Sequence, residues 1–257
     1  MAGQARRLGW RVVAFTFGAS EDLSDCADRV VPGRVTELGA VLAGLQQERA
    51  EAAVFSGKFW IQDLLAVERG EADAAAVGVE RAAGSRTDAG LSRAVLATFG
   101  SLGIEVLDQR RFAGDWLASP GCLTAGVPDE GEWRDVRAGL RAARALADGG
   151  VGQTVVVRHG VVTAVEAVEG TTAAIERGTR LAGPGAVVVK AVAASHDYRF
   201  DMPAVGPDTI DAAVRGGARV LALQAAAVAL LEREQALARA EAAGLALVGV
   251  DDQWPPS

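Results

Sequence analysis

Polar and apolar residues alternate one for one over 197–202 in the run SHDYRFDMPAVGPDT (195–209), and this period of two predicts an extended strand. It puts Asp197, Arg199 and Asp201 on one face and Tyr198, Phe200 and Met202 on the other. Pro203 should end the strand. Gly206-Pro207-Asp208-Thr209 then reads as a helix start, with proline in the first turn and an acid near the positive end. Upstream, 10–17 is β-rich, 36–49 has helical periodicity, 52–57 reads as a short buried strand, and a helix over 87–101 leads into a strand at 104–107. Downstream, a helix over 133–148 closes at Gly149-Gly150, and strands 153–158 and 161–166 flank His159-Gly160 as a hairpin. Helices over 171–180, 208–215 and 232–243 then alternate with strands over 186–192, 219–224 and 245–250. The whole pattern predicts an α/β protein: a parallel sheet domain over 1–114, a linker over 115–130 marked by Pro120, Gly121, Gly126 and Pro128, and a second α/β domain with a mixed sheet over 131–257.

Composition narrows the function. With 257 residues, half of them hydrophobic, the chain can bury a sizeable core. A formal charge of -7 argues against a general nucleic-acid binder, whose surface must replace phosphate counterions. Cys26 and Cys122 lie far apart without metal-ligand spacing, which fits a reducing compartment. No apolar run approaches the roughly 20 residues that span a bilayer, and the N-terminus lacks the apolar core of a signal peptide, so a soluble, cytoplasmic protein is expected.

The candidate chemistry is that of phosphate. Asp197 and Asp201 are as consistent with a solvated strand face as with a site. On a straight strand their side chains start about 13 Å apart at ~3.3 Å per residue, so they share an ion only if the chain bends before Pro203. Otherwise one ligates a cation or activates water while the other orients Arg199, which either binds phosphate bidentately or neutralises its neighbours. The helix start at Gly206 to Thr209 is a natural anion site. Glu169-Gly170-Thr171 opens another helix, as an anion site or as a plain cap in which Thr171 bonds the backbone amides. Lys190 ends a run of three valines, at the strand end where open α/β sheets hold ligands. In the first domain, Gly57 allows close approach to the backbone and Lys58 can meet a phosphate, but the GxxxxGK[ST] spacing is absent, as are GxGxxG and GxSxG.

Taken in order, several motifs resemble the LpxI family, the UDP-2,3-diacylglucosamine pyrophosphatases of lipid A biosynthesis. They are Val54-Phe55-Ser56-Gly57-Lys58, Val151-Gly152-Gln153, Val165-Glu166 with Glu169-Gly170-Thr171, Val189-Lys190, His196 through Pro203, and Val205 through Thr209. Ala242-Ala243-Gly244-Leu245 leading to Val248-Gly249-Val250 resembles the closing segment. The resemblance implies an N-terminal Rossmann-like domain, a C-terminal domain characteristic of the family, and a homodimer touching the inner membrane peripherally from the cytoplasmic side. It implies hydrolysis of UDP-2,3-diacylglucosamine to UMP and 2,3-diacylglucosamine 1-phosphate with Mg2+ or another divalent cation. Asp197 and Asp201 would be catalytic or metal ligands, Arg199 and Lys190 charge stabilisers, Glu169 a supporting acid, and Gly57, Lys58, Gly170, Thr171, Gly206 and Thr209 substrate contacts. Three departures are visible. Met1 to Ala5 falls inside a helix that follows the family's first strand and glycine-rich loop, Thr172 stands where an acid is usual, and Gln224-Ala225-Ala226 replaces an acidic-glycine turn. These keep two other classes open: a binding module that holds the nucleotide or lipid without turnover, and a structural partner that dimerises with an intact homologue.

Overall fold

The computed structural model describes residues 1–17, 23–34, 36–57, 73–83 and 88–253. Contacts divide the chain into two units, Met1–Gly114 with Asp197–Asp201, and Asp115–His196 with Met202–Ser257. Both are α/β.

In unit 1, helix α1 (Ala2–Arg7) precedes strands β1 (Val13–Phe17) and β2 (Arg29–Gly33), which pair in parallel with Val13 opposite Arg29. Helix α2 (Leu38–Gln47) leads to β3 (Ala52–Ala53). Helices α3 (Ala74–Ala83) and α4 (Asp88–Ser101) come before β4 (Glu105–Val106), the parallel partner of β3. The ladder at β3 is shorter than the 52–57 expected, and Val54 to Gly57 run on outside it. Leu45, Phe99, Ile104 and Val106 form the core, with Phe15, Val41, Phe55 and Leu96 packed against it. The one-sided apolar spacing of α2 and α4 serves this cluster. A 3₁₀ turn, Gln109–Phe112, follows β4.

Unit 2 is built on a six-stranded sheet ordered β5-β12-β10-β8-β6-β7. Its strands are β5 (Gly121–Cys122), β6 (Thr154–Arg158), β7 (Val161–Val165), β8 (Val187–Lys190), β10 (Val220–Gln224) and β12 (Ala246–Val250). A parallel pair, β9 (Ala204–Val205) with β11 (Ala229–Leu230), stands apart from that sheet. β8, β10 and β12 are parallel, and Val220 lies opposite both Val187 and Ala246. β6 runs antiparallel to β8 and β7, and β5 antiparallel to β12, so the sheet is mixed as expected. The stretch 115–130, read as a linker from its prolines and glycines, is built into this unit: it carries β5, and Leu123 N donates to Leu247 O at 2.8 Å.

The parallel strands read as unbroken apolar runs because both faces are covered. On one face lies helix α5 (Glu130–Asp148), whose Val136, Leu140 and Ala143 pack on Val157, Val189, Ala222 and Val248. Helix α6 (Thr171–Ala182) packs on β6 and β7 and against α7 (Pro207–Arg215), which in turn meets α8 (Arg233–Ala242). Two glycines set the helix-to-sheet distance: a Cβ on Gly139 or on Gly178 would lie 2.5 Å from a valine methyl, Val189 Cγ2 or Val156 Cγ2. The β6–β7 hairpin turns at His159 (φ 50°) and Gly160 (φ 79°), the left-handed pair that a two-residue turn between twisted strands requires. Asp135, buried on α5, accepts from both turn amides, His159 N at 2.7 Å and Gly160 N at 2.6 Å. Among the described residues no helix is long and apolar enough to cross a membrane.

Candidate functional site

The segment 197–202 is not the strand its alternation predicts. Arg199 N donates to Asp197 Oδ1 at 3.1 Å and Phe200 N to Asp197 O at 3.2 Å, so the aspartate closes a turn around itself. The reason is local competition: Asp offers its own backbone a partner two residues on, and Pro203 has no amide to give a ladder. Pairing resumes only at β9. The sidedness of the pattern survives in another form. Tyr198 is buried, and the Phe200 ring stacks on Phe55 with centroids 5.4 Å apart, while Asp201 is exposed.

The turn brings Arg199 back onto Asp197, with Nε 2.8 Å from Oδ1 and Nη2 2.7 Å from Oδ2. A second Asp-x-Arg turn meets it in unit 1. Arg110 N donates to Asp108 Oδ1 at 2.8 Å, its Nε lies 3.1 Å from both Asp108 oxygens, and Nη2 reaches Oδ2 at 2.6 Å. The Arg110 guanidinium lies over the Tyr198 ring, 3.8 Å from its centroid, and Gln109 N donates to Tyr198 O at 3.0 Å. Hydrogen bonding from Arg110 holds the Asp108 carboxyl below the usual range against its partial burial, while the charge of Asp197 pushes it back up. Burial raises the Tyr198 phenol. The sequence reading missed Asp108 and Arg110; the signal available was the repeat itself, Asp-Gln-Arg at 108–110 and Asp-Tyr-Arg at 197–199.

Unit 2 assembles a different group at the ends of β6 and β8. Lys190, buried and opposite Thr154, donates from Nζ to Thr171 Oγ1 at 2.8 Å, and that hydroxyl donates to Glu166 Oε1 at 2.7 Å. Gln153 N approaches Glu166 Oε2 at 3.3 Å. Partial burial is the largest influence on Glu166 and would raise its pKa. The Lys190 charge and the hydrogen bonds around the carboxylate outweigh it, leaving the group below the ordinary range. Thr154 Oγ1 faces this carboxylate without a hydrogen bond of good geometry. Gly152 is needed for the close approach of the two strand ends, because a Cβ there would fall 2.2 Å from Glu166 O. Glu166 entered the sequence reading only as part of a motif, and the structure gives it the central place.

The neighbouring expectations divide. Thr171 does not cap α6: Gly170, at φ 83°, is the N-cap, and the threonine hydroxyl turns instead to Lys190 and Glu166. Glu169 accepts from Ala167 N at 3.1 Å and from Arg177 Nη2 at 2.5 Å, a surface pair that bridges the loop to α6. Gly206 is the extended N-cap of α7, and Thr209, nearly buried, donates its amide to Gly206 O at 3.0 Å. Gly57 has φ 113° with open space where a Cβ would stand, and Lys58 lies outside the described residues. Gln224, at the end of β10, accepts from Val192 N at 3.2 Å and Arg144 Nε at 3.5 Å, and Ala226 takes the left-handed backbone (φ 55°) that a glycine would adopt without strain. A cavity of about 420 Å³ lined by Thr179, Arg180, Pro184 and Arg215 contains none of the expected site residues.

A divalent ion can be tested against these donors. Among the described residues no three His, Cys, Asp or Glu side chains converge on one point, so no all-protein cage is built. Mg2+ characteristically keeps its waters and takes one or two carboxylates plus substrate phosphates. Both Asp197 oxygens are engaged by Arg199, and Asp201 lies exposed at the end of the same turn. The donor set therefore suits an ion that arrives with a phosphate ligand, and the engagement of both Asp197 oxygens does not suit one shared equally by Asp197 and Asp201.

Comparison with known proteins bears on both units. The chain is 29% identical over 232 residues to the UDP-2,3-diacylglucosamine pyrophosphatase LpxI of Caulobacter vibrioides, a similarity covering 86% of this chain and 82% of that protein. The family profile of the LpxI N-terminal domain matches residues 1–116 and that of the LpxI C-terminal domain residues 119–248. With both domain profiles matched in order over nearly all of its length, the chain belongs to the LpxI family.

Proposed function

We propose that this protein hydrolyses the pyrophosphate bond of UDP-2,3-diacylglucosamine, giving UMP and 2,3-diacylglucosamine 1-phosphate. The observation that carries the reading is the similarity to a named pyrophosphatase across both matched domains, which includes the Asp197 to Asp201 segment. The chemistry required is modest in covalent terms. Water adds to one phosphorus, the bridging P–O bond breaks, and charge on the phosphoryl oxygens must be met throughout.

Each residue then has a separate task. Arg199, aimed by Asp197, supplies a planar donor to phosphate oxygens where charge develops. Asp197 acts through that arginine. Asp201 is the carboxylate that would hold a divalent cation, whose bound form supplies Lewis-acid polarisation of the phosphoryl oxygens. Lys190 contributes a buried positive charge moderated by Glu166 through Thr171. Gly170 and Gly206 open helices whose amides favour anions. A homodimer working at the cytoplasmic face of the inner membrane belongs to the same proposal.

The test is release of UMP from UDP-2,3-diacylglucosamine by the purified full chain with Mg2+. Wild type should turn over, and Asp201→Ala and Arg199→Ala should each lose about 10²-fold or more in kcat. No UMP from wild type, or unchanged rates in both variants, overturns the proposal. Gln224-Ala225-Ala226, which stands in place of the family's acidic-glycine turn and whose Gln224 side chain accepts from Val192 N, favours one second reading, a binder without turnover. Nucleotide or lipid retained through purification, with no product formed, would select that reading.

A further inference from the structure

The paired Asp-x-Arg turns of unit 1 do more than duplicate a local motif. A guanidinium has five N–H donors. In Arg110 and Arg199 alike the Nε and Nη2 edge is taken by the aspartate two residues earlier. Nη1 of each makes no hydrogen bond among the described residues, and the side chains are 43% and 42% exposed. The aspartates therefore fix the planes and leave the remaining edges turned outward. Arg110 is fixed a second time by the Tyr198 ring beneath it. The two turns also sense one another: the Asp197 charge acts on Asp108, and the Asp108 charge acts on Arg199.

From this geometry we infer that Arg110 is a second binding residue for the diphosphate of a nucleotide ligand, working beside Arg199, with Asp108 and Tyr198 as its positioning residues. The inference rests on the reading under Proposed function and adds to it a residue far from the Asp197 segment in sequence. Charge sets a condition on the site. Asp108 and Asp197 already neutralise Arg110 and Arg199, so the two pairs orient a diphosphate without cancelling its charge, which falls to an accompanying cation. Binding through Arg110 is accordingly coupled to Mg2+.

Titration calorimetry of the full chain with UDP, with and without Mg2+, reads this directly, alongside steady-state hydrolysis of UDP-2,3-diacylglucosamine. Arg110→Ala should weaken Mg2+-dependent UDP binding about 10- to 100-fold, the scale of a lost charge-assisted hydrogen-bonded contact. It should raise KM by a similar factor with a smaller effect on kcat. Arg110→Lys, which restores charge without the planar fork, should recover only part of the loss. Asp108→Asn, which leaves Arg110 in place but loosens its grip, should fall between wild type and Arg110→Ala and serves if the alanine variant fails to fold. Wild-type UDP affinity and KM in both Arg110→Ala and Asp108→Asn overturn the inference while leaving the hydrolase reading standing. UDP binding lost on Arg110→Ala in a protein that releases no UMP keeps the inference and overturns the activity. A wild type that neither binds Mg2+–UDP nor hydrolyses substrate overturns both.

Discussion

A carboxylate half out of water needs compensation, and at Glu166 it comes from the Lys190 charge and from hydrogen bonds, among them that of Thr171 Oγ1, which links the two side chains. Because the folded pKa is depressed, Glu166 stabilises the protein in full above its ordinary value of 4.5, and that contribution is lost as pH falls from there through the folded value. Glu166→Gln removes the titration and the carboxylate charge that acts on buried Lys190. Urea unfolding should therefore show the variant less stable by about 1–3 kcal/mol near pH 7, with the gap closing toward pH 3. A gap that stays constant with pH would mean that the carboxylate's charge is not what the site uses. At this scale the sequence was a partial guide. Lys190 after three valines was readable as a strand-end cation, because a buried strand leaves a long side chain one exit. The partner was not readable: Thr171 looked like a cap by type and position, and only the packing of β8 against the loop before α6 turns its hydroxyl the other way.

Among the elements, the β6–β7 hairpin shows how a turn is shared between its own residues and a neighbour. His159-Gly160 already favours the left-handed pair, and Asp135 on α5 fastens both amides, so helix and hairpin are fixed together. Asp135→Ala should cost about 1.5–3 kcal/mol in equilibrium denaturation, the range for hydrogen bonds to a charged group, and Asp135→Asn, which keeps one acceptor oxygen, roughly half of that. Equal stability of all three proteins would show that the turn holds itself. Elements of this kind were legible because hydrophobic period and turn chemistry agree: the hairpin, α5 to α8, and strands β8, β10 and β12 fall within a few residues of their predicted limits. The segment 197–202 was misread for the opposite reason. Its alternation satisfies the strand rule, yet Asp197 supplies a backbone partner inside the segment and Pro203 withholds one, and a period count registers neither.

On the scale of the whole chain, the division into units follows contacts that local sequence cannot display. Residues 197–201 group with unit 1 although the chain on both sides belongs to unit 2, and Tyr198 meets Arg110 across 88 positions of sequence. A motif scan sees two separate Asp-x-Arg tripeptides; the fold brings them together as two neutralised ion pairs in one unit. The lack of any three-donor acidic cluster among the described residues yields a prediction about the metal. A resident ion in a preformed cage would stabilise the folded state by mass action, and stripping it would lower the melting temperature. An ion that enters with the diphosphate adds nothing until substrate is present. Exhaustive chelation with EDTA should therefore leave the thermal midpoint of the free protein within about 1 °C of its value in Mg2+, while abolishing UMP release and the affinity for UDP. The midpoint should rise with Mg2+ and UDP together and stay unmoved by either alone. A fall of several degrees on chelation in the absence of nucleotide would instead identify a structural ion, and the division of labour argued for Asp197 and Asp201 would have to be redrawn around it.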